Sequence, residues 1–184
     1  MKTYYCWLNQ NRFLSHLRAI FCALAIAGAL FTLPNAKAGG SPPVTITGGF
    51  FPCFTYAGPP RQVGENVIVT FNVIVDATGA LTGQTVGTEL DIIHPDGSIT
   101  LHGTALFTGS LNGGPLGTLL FTYNGIGNAV TGHENLRIVG RQGTEGLAGV
   151  HIQATAEGDL GAPGPGCDVS GAGTYTGHIV FAPR

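Results

Sequence analysis

The feature that most constrains this chain is a hydrophobic period of two. From Asn66 to Asp76, Val67, Val69, Phe71, Val73 and Val75 alternate with Ile68, Thr70, Asn72, Ile74 and Asp76. From Ser98 to Thr108, Ile99, Leu101, Gly103, Ala105 and Phe107 alternate with Ser98, Thr100, His102, Thr104 and Thr108, broken only by Leu106. Successive side chains of an extended strand point to opposite faces, so each run reads as a strand with one buried face. Further runs cover Leu81–His94, Leu116–Tyr123, Val130–Gly140, Leu147–Glu157 and Ala172–Ala182. After residue 38 no window sustains apolar residues at i, i+3, i+4 and i+7, which excludes a helical domain.

The punctuation between the runs is that of hairpins. Ala77-Thr78-Gly79, Pro95-Asp96-Gly97, Asn112-Gly113-Gly114 and Asn124-Gly125 each combine residues that favour tight turns. A glycine-rich bend, Gly143-Thr144-Glu145-Gly146, separates two more alternating runs. Seven or eight strands joined in this way form either an antiparallel sandwich or an up-and-down barrel. Gly103, Gly109, Gly140, Gly149 and Gly177 fall inside strands. There glycine weakens a sheet unless the sheet must coil sharply or leave room, and small closed barrels require both. The fold expected is all-β, an antiparallel up-and-down β-barrel of about eight strands over residues 64–184.

The first 38 residues have a different character. Lys2, Arg12 and Arg18 precede an apolar run from Ala19 to Leu33, followed by Pro34 and Ala36-Lys37-Ala38. This is the pattern of a secretory signal peptide cut after Ala38, and a secreted or periplasmic location is the expectation. The apolar run of about 15 residues is shorter than the roughly 20 that span a bilayer. Residues 39–63 follow as an irregular arm: Pro42, Pro43, Pro52, Pro59 and Pro60 argue against a central strand. Yet Phe50, Phe51, Phe54 and Tyr56 make the arm too apolar to be a solvated tail. Packing of the arm on the barrel is expected, with a lid over a pocket as the alternative.

Cleavage after Ala38 leaves Arg61, Arg137, Arg141 and Arg184 against all ten acids, a balance of 4 − 10 = −6. A nucleic-acid binder needs a cationic stripe to displace counterions from phosphates, so nucleic acid is excluded as a partner, and an anionic membrane with it once the signal is removed. Two cysteines remain, Cys53 and Cys167, and in an oxidising compartment they read as one disulfide. With no C-x-x-C or H-x-H spacing, no metal site is expected, and no cofactor.

Several of these runs carry a resemblance. Gly103-Thr104-Ala105-Leu106-Phe107-Thr108-Gly109, Gly117-Thr118-Leu119-Leu120-Phe121-Thr122-Tyr123, Gly143–Val150 and Gly173-Thr174-Tyr175-Thr176-Gly177 resemble an uncharacterised bacterial domain family of unknown function. That family belongs with the allene oxide cyclase-like and dirigent-like β-barrels. The resemblance spans about residues 66 to 182. It implies an eight-stranded, calycin-like antiparallel barrel with an apolar cavity and no established activity. The plant cyclases of this fold use a cavity carboxylate and a held water to steer ring closure. No position here matches those residues, so no catalytic role is carried over.

Few residues suggest chemistry. Glu89 and Asp91 stand two apart and so share one strand face. Such a pair can divide acid and base roles or bind calcium together with carbonyl oxygens. Leu90 and Ile92 occupy the other face, which assigns the acids to the solvated exterior. His102, His151 and His178 fall on polar strand faces and are expected outside as well. No G-x-S-x-G, phosphate loop or H-E-x-x-H is present.

Function is then expected to be binding rather than catalysis. Small residues on inward faces (Gly103, Ala105, Ala154, Ala156) should leave a cavity, lined by Val69, Phe71, Val73, Leu101, Ala105, Phe107, Ile152, Ala154, Tyr175 and Ile179. A small apolar molecule or a partner protein would occupy the barrel. One alternative is an isomerase or cyclase acting by confinement, for which a buried carboxylate or histidine would be the discriminating sign. Another is a structural or assembly protein, with homo-oligomer formation through the half-apolar outer face of the 66–76 strand.

Overall fold

A computed structural model describes residues 42–181. The signal segment and its cleavage point lie outside the described residues. Among the described residues nine strands form a single antiparallel sheet: β1 (Val44–Tyr56), β2 (Arg61–Val63), β3 (Asn66–Gly79), β4 (Leu81–Ile93), β5 (Ser98–Leu111), β6 (Gly117–Asn128), β7 (His133–Arg141), β8 (Val150–Leu160) and β9 (Val169–Phe181). From β3 to β9 every strand pairs with the next in sequence, while β1 pairs with both β9 and β3. The sheet is therefore an eight-stranded closed barrel, with β2 a short extension of the β1 edge along the start of β3. Among the described residues no helix is long and apolar enough to cross a membrane.

The alternation read from the sequence places the core. Val69, Phe71 and Val73 of β3 and Leu101, Ala105 and Phe107 of β5 are all buried, and their intervening neighbours face outward. The larger core cluster, built on Phe107, Leu119, Ile152, Ile179 and Ile46, fills one end of the barrel. A 3-10 turn, Glu145–Leu147, inserts the fully buried Leu147 beneath it. At that same end the Tyr175 hydroxyl donates to Thr78 O at 3.0 Å and accepts from Leu81 N at 2.8 Å, tying β9 to the β3–β4 turn. A smaller cluster, Phe54 with Val69, Phe71 and Val73, packs near the other end. Turn chemistry sets the β4–β5 hairpin: His94 N donates to Ser98 O, and Asp96 Oδ1 accepts from Ser98 N and Oγ.

Two expectations are corrected. Residues 44–56, expected as part of an irregular arm, form barrel strand β1. Pro52 is tolerated because the β1–β9 ladder lapses at Phe51–Pro52, between Phe50↔Gly173 and Cys53↔Ser170. Proline has no N–H to give there. The ladder to β3 runs on past it, with Pro52 opposite Val75. Cys53 and Cys167 are joined by a disulfide, Cα atoms 5.2 Å apart, immediately beside this gap. The second correction concerns Asn124-Gly125, which continues inside β6 opposite Arg137 and Leu136. The chain turns instead after Asn128, whose Oδ1 accepts from Val130 N at 2.8 Å and Thr131 N at 3.0 Å.

On the outside, Ile74, Val86, Leu106 and Leu120 are mutually opposite on β3, β4, β5 and β6 and form an apolar row across four strands.

Candidate functional site

Register decides which face the acids of β4 take. Asp91 lies opposite Val69 and Leu101, and Glu89 opposite Phe71 and Gly103. Directly opposed residues project to the same side of a sheet, and the alternation of β3 and β5 leaves no choice of side for theirs. Glu89 (4 % exposed) and Asp91 (5 % exposed) therefore point into the barrel. This overturns their assignment to the solvated exterior. Leu90 and Ile92, taken alone the apolar face of the strand, lie on the outside with Val86.

A third carboxyl comes from across the interior. On β7, Glu134 shares its face with Leu136, Ile138 and Gly140, and it is 6 % exposed. Glu89, Asp91 and Glu134 each place a carboxylate oxygen within 4.8 Å of the others. Missing side chains make the convergence possible. Glu89, Gly103 and Tyr123 stand in one row across β4, β5 and β6. A Cβ on Gly103 would overlap the Tyr123 ring, so glycine allows the phenol to lean over β5 to Glu89. Gly127 lies opposite Glu134, and a Cβ there would stand only 3.0 Å from Glu134 Cγ.

Burial dominates the electrostatics. Desolvation, reinforced by the charges of Asp91 and Glu134, pushes Glu89 up to about 9. Desolvation and the charge of Asp91 push Glu134 up to about 8. Asp91 is also raised by burial, to about 6, with the Glu89 hydrogen bond and His102 pulling the other way. The Tyr123 phenol is raised by burial and by its acidic neighbours. At neutral pH Asp91 is then the ionised member, facing two carboxylic acids. One of its oxygens, Oδ1, is fully buried and has no hydrogen-bond partner among the described residues.

Two of the acids, Glu89 and Glu134, border two spaces. An inner cavity of about 110 Å3 is walled by Phe50, Val73, Ala105, Phe121, Ile152, Ala154 and Tyr175, with Glu89 and Glu134 at one end. A cleft of about 530 Å3 opens at the barrel mouth, lined by Phe54, Val69, Phe71, Ile99, Asn128 and Leu160 together with Glu89, Asp91 and Glu134. Among the described residues neither space is lined by a lysine, arginine or histidine.

Of the residues expected to line a cavity, Val73, Ala105, Ile152, Ala154 and Tyr175 stand on the inner wall. Val69 and Phe71 stand at the mouth. Leu101, Phe107 and Ile179 are almost wholly buried and line neither space. His102, His151 and His178 are exposed on β5, β8 and β9, and none joins the carboxyl group. Glu134 and Tyr123 had not been singled out. The signal for Glu134 was its parity with Leu136 and Ile138; that for Tyr123 was its place on the inward face of β6 with Leu119 and Phe121.

No family model matches the chain, and no curated protein matches it. Among solved structures, the barrel is similar to a protein of unknown function from the DUF3224 family of Shewanella oneidensis MR-1. The match has a TM-score of 0.60 at 18 % identity and covers 78 % of this chain and 100 % of the other. At that identity the likeness is one of fold: this chain is a β-barrel of the kind that an uncharacterised domain family also adopts.

Proposed function

We propose that the protein binds a small, largely apolar molecule inside the barrel, with the polar end of the ligand at the Glu89–Asp91–Glu134 carboxyls. The observation that carries this reading is the sharing of two carboxyls: Glu89 and Glu134 line both the apolar inner cavity and the mouth cleft. Binding pockets typically pair apolar walls with a few convergent polar groups. At about 110 Å3 the inner space is smaller than the roughly 150 Å3 cavity that holds benzene, so it suits a slim alkyl tail of a ligand whose remainder occupies the cleft. The disulfide supports placing this activity outside the cytosol. Exported protein with an intact mass beginning at Gly39 would agree with that location, and the full 184-residue mass would refute cleavage.

1-Hexanol is a suitable probe. Saturable binding should appear in ligand-observed NMR, with thermal stabilisation of about 1.4 kcal/mol at ten times Kd. Ala154→Leu, which fills the inner cavity, should abolish both signals while leaving the far-ultraviolet circular dichroism unchanged. Absence of saturable binding to the unaltered protein, or equal binding by the filled variant, refutes the reading.

One observation favours a second reading, an isomerase or cyclase in the manner of the allene oxide cyclase-like barrels. Carboxyl groups stand beside any apolar molecule enclosed in the inner cavity. Conversion of cyclohex-3-enone to its conjugated isomer, lost in Glu89→Gln, would support it. A rate no higher than that of buffer would count against it.

A further inference from the structure

Three buried carboxyls brought together, with no cationic side chain beside the ionised Asp91, require a physical account. Buried charges in proteins are paired or coordinate metal ions, and among the described residues no cationic side chain lines either space around this group. The three come from two strands on different sides of the barrel, so no local sequence effect explains their meeting. A second observation is independent of their number. Asp91 is 95 % buried by its 5 % exposure, yet its Oδ1 has no hydrogen-bond partner. Its side chain lines the mouth cleft with Glu89 and Glu134. A buried acceptor with nothing to accept from normally has a ligand, an ion or a water as its partner.

We propose that Glu89, Asp91 and Glu134 form a binding site for a hard divalent cation, calcium above all, at the floor of the mouth cleft. All three donors are carboxyl oxygens, which on taking up an ion release the protons that Glu89 and Glu134 hold in the free protein and become the ligands of calcium, magnesium and manganese; the sulfur and imidazole ligands that attract zinc and copper are absent from the group. Ligand number favours calcium. Carboxyl oxygens that all lie within 4.8 Å of one another can share one ion that bonds oxygen at about 2.3–2.6 Å, whereas magnesium keeps several waters and is usually held by one or two carboxylates. Calcium takes about six to eight oxygens, so three carboxylates leave positions that face the cleft, open to water. The site needs no organic ligand and does not depend on the binding reading above. An oxygen of a molecule lodged in the cleft could also complete it.

The experiment uses the whole disulfide-bonded protein, stripped with a chelator and then freed of it. Terbium serves as the calcium probe, because Tyr123 beside Glu89 can sensitise its luminescence. Binding should saturate at one ion per chain and be displaced by calcium with a Kd on the order of 10⁻⁴ M, and by magnesium more weakly. Asp91→Asn and Glu134→Gln should each weaken calcium binding roughly tenfold or more, since affinity follows ligand charge. Tyr123→Phe should dim the terbium signal while leaving calcium affinity, measured by isothermal titration, within about twofold. Circular dichroism confirms that each variant folds. No saturable uptake of calcium, magnesium or manganese up to about 10 mM overturns the proposal, as does uptake that ignores Asp91→Asn and Glu134→Gln. Saturable binding of n-hexylamine at these residues without any metal binding also overturns it, in favour of an organic cation. Loss of alcohol binding with calcium binding intact would refute only the apolar-ligand reading, and the reverse result would refute only this one.

Discussion

Glu134→Gln in the chelator-treated protein tests the electrostatics of the barrel interior directly. The group titrates near 4.5 when unfolded and near 8 in the fold, raised first by desolvation and then by Asp91. Below pH 4.5 the carboxyl is protonated in both states and contributes no pH dependence. Between pH 4.5 and pH 8 the unfolded chain has lost a proton that the folded chain retains, so stability falls as pH rises. The slope for one group is about 1.4 kcal/mol per pH unit. Over the whole window this integrates to about 5 kcal/mol for a group held in an unchanged interior. Glu134 borders the open mouth, and water drawn in as it ionises relieves part of that penalty, leaving about 2 kcal/mol. Glutamine keeps the shape and carries no charge. Relative to the unaltered protein, the variant should match it near pH 4.5 and exceed it by about 2 kcal/mol near pH 8.5, or roughly 7 °C in Tm for a domain of this size. Calorimetry or urea melts across that range read the difference. A Tm for the unaltered protein that does not fall between pH 4.5 and 8.5, or a variant whose curve runs parallel to it, would show that the carboxyls are not buried as described.

Two further outcomes follow from packing and covalent structure. Gly103→Ala should cost roughly 1–3 kcal/mol, because its Cβ would overlap the Tyr123 ring; Gly58→Ala, with nothing within 4 Å, is the control, and equal urea midpoints for the two would refute the close approach. A thiol titration of unfolded, unreduced protein beginning at Gly39 should find no free sulfhydryl. Cys53→Ala with Cys167→Ala should keep the β-sheet signal and lower stability by less than the roughly 4.7 kcal/mol of the loop-entropy argument, and a loss of sheet signal at 25 °C would contradict a barrel held by its own ladder.

The alternation of Ile99, Leu101, Gly103, Ala105 and Phe107 was enough to read β5, because polar and apolar faces separate cleanly there. Strand β4 could not be read in isolation. Its acids and its aliphatic residues Leu90 and Ile92 have opposite parity, and an isolated strand places the acids in water. Only pairing with β3 and β5 settles the side, and pairing is a property of the whole sheet. Pro52 misled for a related reason. Proline removes one hydrogen bond, but β1 has two neighbours and only its ladder to β9 lapses. Asn124-Gly125 has the composition of a hairpin turn, yet the Asn128 side chain satisfies the backbone of the actual turn four residues later. The site itself was the least legible part, since its residues lie on β4, β6 and β7 and meet across the interior.

The way the barrel closes bears on how the chain folds. From β3 onward each strand pairs with the next, and such contacts form with little loss of loop entropy. The β1–β9 seam is different: Val44 meets Ile179 across almost the whole described chain. Contacts of that span form slowly, after local ones have shortened the effective loop. During synthesis β1 is made before β9 and must wait for it, with an unpaired edge exposed until the last strand arrives. Cys53 and Cys167 sit on that seam, 114 residues apart. Their oxidation therefore records the final docking event, and once formed it keeps a completed barrel from reopening along the line where Pro52 leaves the β1–β9 ladder incomplete.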